Sequence, residues 1–306
     1  MSNPKKQHYV PQVYLKNFSF SDKEPYKIYA LCKKENRIFP VNVSDTSVEH
    51  NFYTVNKRSD PYIVETTYAT VIEPMLARVI TKIRKSCENI LIQNHTCVLN
   101  PKDKIDMAYS MIFQLFRGKI TREYTRKQYL SLAPVVAGEV KEVFNPISEQ
   151  QEIILNEITT SEDYYKLIAT STALNYEKVK SITEELLKRH FVIFKICGNS
   201  EFITSDNPVT FMDAETLDVT PFRNGLATPK TIVYFPITPK LLLAAYHPNY
   251  YFNTFSKYDC RLEYIDSDKE FNFINTYNYK QVESSYAYVY SRNEETLKNI
   301  IASKWR

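Results

Sequence analysis

Apolar and polar positions change their period twice along the chain. Residues 8–18 mix aromatic and aliphatic side chains around one proline and predict a short buried segment, helical after Pro11. Two apolar runs, 26–32 and 37–39, flank the polar stretch 33–36 in the manner of a β-hairpin, and 51–55 predict a third strand. A helical period then takes over. From about 62 to 92, with Asp60-Pro61 as cap and first-turn proline, Val64, Tyr68, Val71, Ile72, Met75, Leu76, Val79 and Ile83 form one stripe at ~100° per residue. Pro74 is placed to kink this helix or split it. A second helix from near Pro101 carries Ile105, Ala108, Met111, Ile112, Leu115 and Phe116 on one face, and further helical patterns cover 133–144, 161–173 and 177–190.

After His190 the strand period returns. Residues 191–197 and 201–204 predict two strands joined by a tight turn at Gly198-Asn199-Ser200. Strands at 231–235 and 241–246, a helix at 270–284, a strand at 286–290 and a closing helix at 294–303 follow. This order predicts an α+β fold, with a mixed sheet built from N- and C-terminal segments and a helical middle region. No repeat or low-complexity linker interrupts it, so the expectation is a single domain over 1–306, with N-terminal strands in 20–56, helices in 61–190 and an α/β region in 191–306.

Composition narrows the chemistry. Hydrophobic residues at 43% and charged residues at 24% exclude disorder. The four glycines, Gly118, Gly138, Gly198 and Gly225, are too dispersed to write a P-loop or a Rossmann fingerprint, which excludes nucleotide binding by those two routes. A net charge of +4 permits a nucleic-acid partner without requiring one. The five cysteines are scattered and never spaced Cys-x-x-Cys, which argues against a disulfide framework and a cysteine zinc site and fits a reducing cytoplasm. With no apolar leader and no apolar stretch near 18 residues, the chain is expected to be soluble, cytoplasmic and free of the membrane. The 24 tyrosines and 17 phenylalanines accompany plentiful Lys, Asn and Ile, the signature of an AT-rich coding sequence more than of a base-stacking platform.

Against that background a few polar residues stand out. Glu65 projects into the apolar stripe of the first long helix, where a bare carboxylate is costly to bury, so it needs a partner. Glu73, eight residues on, lies about 80° away on a straight helix and converges on the same cleft only if the helix bends at Pro74. His8, among apolar neighbours, suits a general acid/base or a metal ligand, although a core histidine with both nitrogens satisfied is the commoner outcome for such a residue. Thr204-Ser205-Asp206-Asn207-Pro208 ends a strand; it reads as a structural Asx or ST turn or as a site where Asp206 binds a metal or orients His8. Gln114 and Arg117 share a helix side away from the stripe, where Arg117 would be solvated, clamp a phosphate or neutralise Glu65. The basic stretch 119–127 reads as a wet face. The candidate catalytic set is His8, Glu65, Glu73 and Asp206, and the candidate substrate-binding set is Tyr9, Gln114, Arg117, Ser205 and Asn207. A divalent metal such as Mg²⁺ suits the carboxylates, and metal-free RNA cleavage suits His8 with Arg117; the sequence does not choose.

The opening Gln7-His8-Tyr9-Val10-Pro11-Gln12-Val13-Tyr14-Leu15-Lys16-Asn17-Phe18 resembles the N-terminal signature of the bacterial domain-of-unknown-function family 4238. The later signals of that family follow in order: Tyr53-Thr54, Glu65 and Glu73, the Thr204–Pro208 element and Ile274-Asn275. Val13 stands where an aromatic is more usual. The resemblance spans almost the whole chain and implies a protein of anti-phage defence, with a toxic effector as the natural expectation. Three readings follow: a nuclease effector acting on RNA or DNA through a His/carboxylate site, a non-enzymatic sensor or binding module for a phage component, or an ADP-ribosyltransferase using NAD.

Overall fold

The computed structural model describes residues 5–88, 94–250 and 255–303. A short strand, β1 (Lys6–His8), leads into the four-residue helix α1 (Gln12–Leu15), prolonged by a 3₁₀ turn over Lys16–Phe18. So short a helix cannot sustain itself in water; it persists because Tyr14, Leu15 and Phe18 are fully buried. The expected hairpin forms as β2 (Lys27–Cys32) against β3 (Arg37–Asn42), with Asn36 supplying the left-handed turn residue at φ 50°. The third strand lies earlier than the sequence predicts. It is β4 (Val48–His50), paired antiparallel with β1, and Asn51 at φ 52° turns the chain so that 51–55 bury their aromatic rings without strand pairing.

The first long helix is not uniform. α2 (Ile63–Thr67) passes through a π-helical turn over Tyr68–Ile72 into α3 (Glu73–Glu88); residues 89–92 of the predicted helix lie outside the described residues. The cause is Pro74, which has no N–H to donate and whose ring crowds the carbonyl four residues back; the wider turn just before it relieves both. The turn shifts the helical phase, so Val71 leaves the predicted stripe and is 56% exposed while Ile72 and Leu76 stay buried.

α4 (Pro101–Arg117) begins with a capping box between Asn100 and Asp103 and a first-turn proline. On its apolar face Ala108, Met111 and Ile112 are buried, Leu115 and Phe116 are half-buried, and Ile105 near its start faces solvent. Gly118 separates it from α5 (Lys119–Val143), which starts well before the predicted residue 133; α6 (Glu149–Thr160), α7 (Glu162–Leu174) and α8 (Tyr176–Leu187) complete the middle. The periodic pattern was weak here for a physical reason. α5 buries only Ala137 and α6 buries nothing, so little apolar stripe was needed. The Ser148/Gln151 capping box was the available signal for α6.

Two further sheets organise the C-terminal part. β5 (His190–Cys197), β7 (Thr210–Asp213), β8 (Thr231–Thr238), β9 (Leu241–Tyr246) and β10 (Arg261–Asp266) form a mixed sheet in the order β10-β5-β9-β8-β7, in which only β10 and β5 run parallel. Every residue of β8 and β9 is buried, as their continuous apolar runs require of a sheet covered on both faces. The predicted hairpin at Gly198 does not form. Instead Phe202 and Ile203 sink into the core and the chain crosses to the other sheet, where β6 (Thr204–Ser205) pairs with β11 (Tyr288–Ser291). That antiparallel sheet, β3-β2-β11-β6, joins N- and C-terminal segments as expected; the mixed pairing belongs to the five-stranded sheet, and β7 and β10 were not foreseen. Helices α9 (Phe271–Ser284) and α10 (Glu294–Ser303) match the pattern closely. The fold is α+β, and its main hydrophobic cluster draws Tyr14 and Ile28, Leu76 and Met111, and Phe191 and Leu243 from all three regions.

Candidate functional site

The C-terminal turn of α4 is anchored to the opening segment. Gln114 and Arg117, one turn apart and therefore on one side, are 4% and 1% exposed rather than solvated. Gln114 Nε2 donates to the main-chain oxygen of Tyr9 at 3.0 Å, and Arg117 Nη2 donates to that of His8. The Tyr53 hydroxyl lies 3.3 Å from the same His8 oxygen and 3.0 Å from the Arg117 carbonyl. Gln7, fully buried, accepts from the Tyr53 amide and donates to Thr54 Oγ1 at 3.0 Å. The opening motif is thus fixed mainly through its backbone and through Gln7, which leaves the His8 ring free of these tasks.

Arg117 also gathers the helix carboxylates. Its Nη2 is 3.0 Å from Glu73 Oε1, and its guanidinium lies 4.6 Å from the centre of the Tyr68 ring. The π turn explains why Glu65 meets the same charge. Each residue of a π turn advances by less than the ~100° of an α-helix, so Glu73 swings back towards the face of Glu65. Burial pushes the Glu65 carboxyl up to about 7, with Arg117 opposing and Glu73 adding to the rise. Two buried atoms of this cluster, Glu65 Oε2 and Arg117 Nη1, have no hydrogen-bond partner among the described residues. His8 is half-buried, with Nε2 3.2 Å from the Ser44 carbonyl. Burial lowers its pKa, against the pull of the Ser44 carbonyl and Glu73.

The acid end of this arrangement has a stability signature. The folded value of Glu65 lies above its ordinary 4.5, so the native state holds a proton that the unfolded chain gives up. The stability this group contributes is complete below about pH 4.5 and is lost as pH rises through about 7. Urea unfolding should therefore show Glu65→Gln matching the parent at pH 5 and exceeding it at pH 8 by about 1–2 kcal/mol, a figure reduced for partial solvent screening. Equal stabilities at pH 8 would mean that the carboxylate is fully solvated.

Asp206, Ser205 and Asn207 belong to a different cluster. Asp206, 1% exposed, accepts from the amides of Tyr286, Ala287 and Tyr288 at 2.7–2.8 Å. Burial pushes its carboxyl up to about 6 against the pull of those three amides. It makes no hydrogen bond or ion pair with His8, Glu65 or Glu73 among the described residues. Ser205 Oγ accepts from Gln281 and from the Asn207 amide, and Asn207 Nδ2 donates to the Ser284 carbonyl. Tyr9 lies between the clusters, its ring buried 5.3 Å from that of Phe52 and within the field of Asp206. The sequence reading missed Tyr53 and Tyr68 as partners of Arg117. Tyr53 sits in the Tyr53-Thr54 element, but nothing in a buried-stripe tyrosine distinguishes Tyr68 from packing. Among the described residues, no group of three or more His, Cys, Asp or Glu side chains is arranged to hold a metal ion, and no helix is long and apolar enough to cross a membrane.

The model of the family described as "Protein of unknown function (DUF4238)" matches residues 6–295 of this chain. No curated protein and no solved structure matches it.

Proposed function

The chain belongs to the DUF4238 family, and since that membership carries no activity with it, we propose one from the site: metal-independent cleavage of RNA, as an effector of anti-phage defence. The observation that carries the reading is a carboxyl pushed up to about 7 and an imidazole whose pKa is lowered, both by burial, beside the pair of buried Arg117 with half-buried Glu73. A carboxyl so raised still carries a proton to donate near neutral pH, and an imidazole so lowered has its ring nitrogen open to accept one. His8 takes the proton of the ribose 2′-hydroxyl, and the 2′-oxygen attacks phosphorus. As the bond to the 5′-oxygen breaks, protonated Glu65 supplies that oxygen with a proton, leaving a 2′,3′-cyclic phosphate and a 5′-hydroxyl. Arg117 acts as a positioning residue through the His8 carbonyl and Glu73. Lys6, paired with Asp45 at 3.3 Å, and Lys119, paired with Glu49, would have to exchange these carboxylates for the phosphate to add positive charge there. Asp206 and Ser205 hold the neighbouring loop.

Purified protein incubated with RNA, DNA or NAD, with Mg²⁺ or with EDTA, should cut RNA alone and do so in EDTA. His8→Ala should lower the rate by about 10²–10⁴-fold with a melting temperature within a few degrees of the parent. Intact RNA would end this reading, and NAD turnover would replace it with ADP-ribosyl transfer. The defence context rests on the family resemblance, and phage plating on cells expressing His8→Ala tests it. A second reading, a binding module for a phage component, is favoured by the exposed apolar residues of α5 and α6. Val135, Val136, Val143 and Phe144 on and just after α5, with Ile153 on α6, are 56–72% exposed, more apolar surface than solvation alone explains.

A further inference from the structure

A cavity of about 300 Å³ opens between the end of α4, the start of α5, strand β7 and residues 219–226 of the β7–β8 connection. Phe116, Val209, Phe211, Pro221 and Phe222 give it apolar walls, and no charged side chain lines it. The size is that of the smaller ligand sites, and the lack of lining charge disfavours a phosphate inside it. Its polar groups include Asn207, whose carboxamide is oriented by the bond from Nδ2 to the Ser284 carbonyl at 2.9 Å. That leaves Oδ1 and one amide hydrogen without a partner among the described residues, an acceptor beside a donor. Phe222 is 53% exposed, stands in the left-handed region at φ 64°, and places its ring 4.1 Å from that of Tyr124. An aromatic residue is costly to hold in that conformation, and such strain concentrates at ligand clamps.

We infer that this cavity binds a nucleobase, with the adenine edge of N6–H and N7 on the Asn207 carboxamide and the ring against Phe222. A side-chain carboxamide, of asparagine or glutamine, matches that edge with two hydrogen bonds. A purely apolar ligand would leave the carboxamide unpaired, and an aromatic wall accepts the flat face of any base. The inference rests on the cavity and does not need the acid–base reading.

Titration calorimetry of the full chain with adenosine, guanosine, cytidine, uridine and indole tests it. The expected result is one adenosine per chain, bound about tenfold tighter than the other nucleosides or indole, a step the size of one well-formed pair of base contacts. Phe222→Ala should weaken adenosine by about tenfold or more, and Asn207→Asp should abolish the preference. Because Asn207 also ties Ser284, 7-deazaadenosine, which lacks N7, checks the same contact on the parent chain and should bind about tenfold more weakly. No adenosine binding at millimolar concentration, indifference to Phe222→Ala, or indole binding as tightly as adenosine would overturn the inference. A parent chain that binds adenosine yet leaves RNA intact would count against the cleavage reading alone, and one that cuts RNA without binding adenosine would count against this inference alone.

Discussion

Replacing Arg117 with alanine is expected to lower the unfolding free energy by about 3–5 kcal/mol, the range found when one partner of a buried ion pair is removed. The guanidinium is 1% exposed and serves Glu73, the His8 carbonyl, the Tyr53 hydroxyl and the face of Tyr68 together. Its loss leaves two carboxylates, Glu65 and Glu73, close together without a cation, and releases the backbone of the opening motif. Arg117→Lys should recover part of the loss, because an ammonium keeps the charge but cannot reproduce the planar fork that spans Glu73 and His8. Urea unfolding of Arg117→Ala, Glu73→Gln and the double variant would measure the coupling. A loss under about 1 kcal/mol for Arg117→Ala, a value expected of a surface ion pair, would contradict the buried arrangement.

The second large effect is expected at Asp206. Alanine there removes the acceptor of three part-buried amides; at about 1–3 kcal/mol for each one left unsatisfied the sum is about 3–9 kcal/mol, and water reaching the partly exposed segment should hold the loss to about 3–6 kcal/mol. Asp206→Asn should cost less, since one oxygen remains, but its amide hydrogens must face main-chain donors. The loss should be local before it is global. Hydrogen exchange at the amides of Tyr286, Ala287 and Tyr288 should speed up first, because these are the groups that the carboxylate holds. Unchanged exchange at all three amides in a folded variant would refute that anchoring role. The same contacts explain why β11 starts at Tyr288 and not at the predicted residue 286: the preceding amides donate to a side chain instead of to a neighbouring strand.

How far the site was legible can be seen residue by residue. The cost of a bare carboxylate in an apolar stripe pointed to a partner for Glu65, and Arg117 was named as one candidate. The convergence of Glu73 depended on a bend at Pro74 whose form, a π turn, no periodicity count reveals. Gln114 and Arg117 read as a side away from the stripe, yet both are buried, because the opening segment packs over the end of α4 and converts a solvent face into an interior one. Thr204–Pro208 read as the end of a hairpin strand; the burial of Phe202 and Ile203 sends it to another sheet and surrounds it with Gln281 and Ser284 of α9.

Local chemistry in the sequence by itself determined the β2–β3 hairpin, the capped start of α4, the buried strands β8 and β9, the final two helices and the α+β class. Each depends on residues near one another along the chain, where side-chain period, caps and turn preferences act. Tertiary structure alone decided the partners of Arg117, the desolvation that raises Glu65, the three amides around Asp206 and the cavity beside Asn207. These depend on long-range packing, which sets dielectric and hydrogen-bond supply at a point in space, and neither quantity is written in the residues beside it.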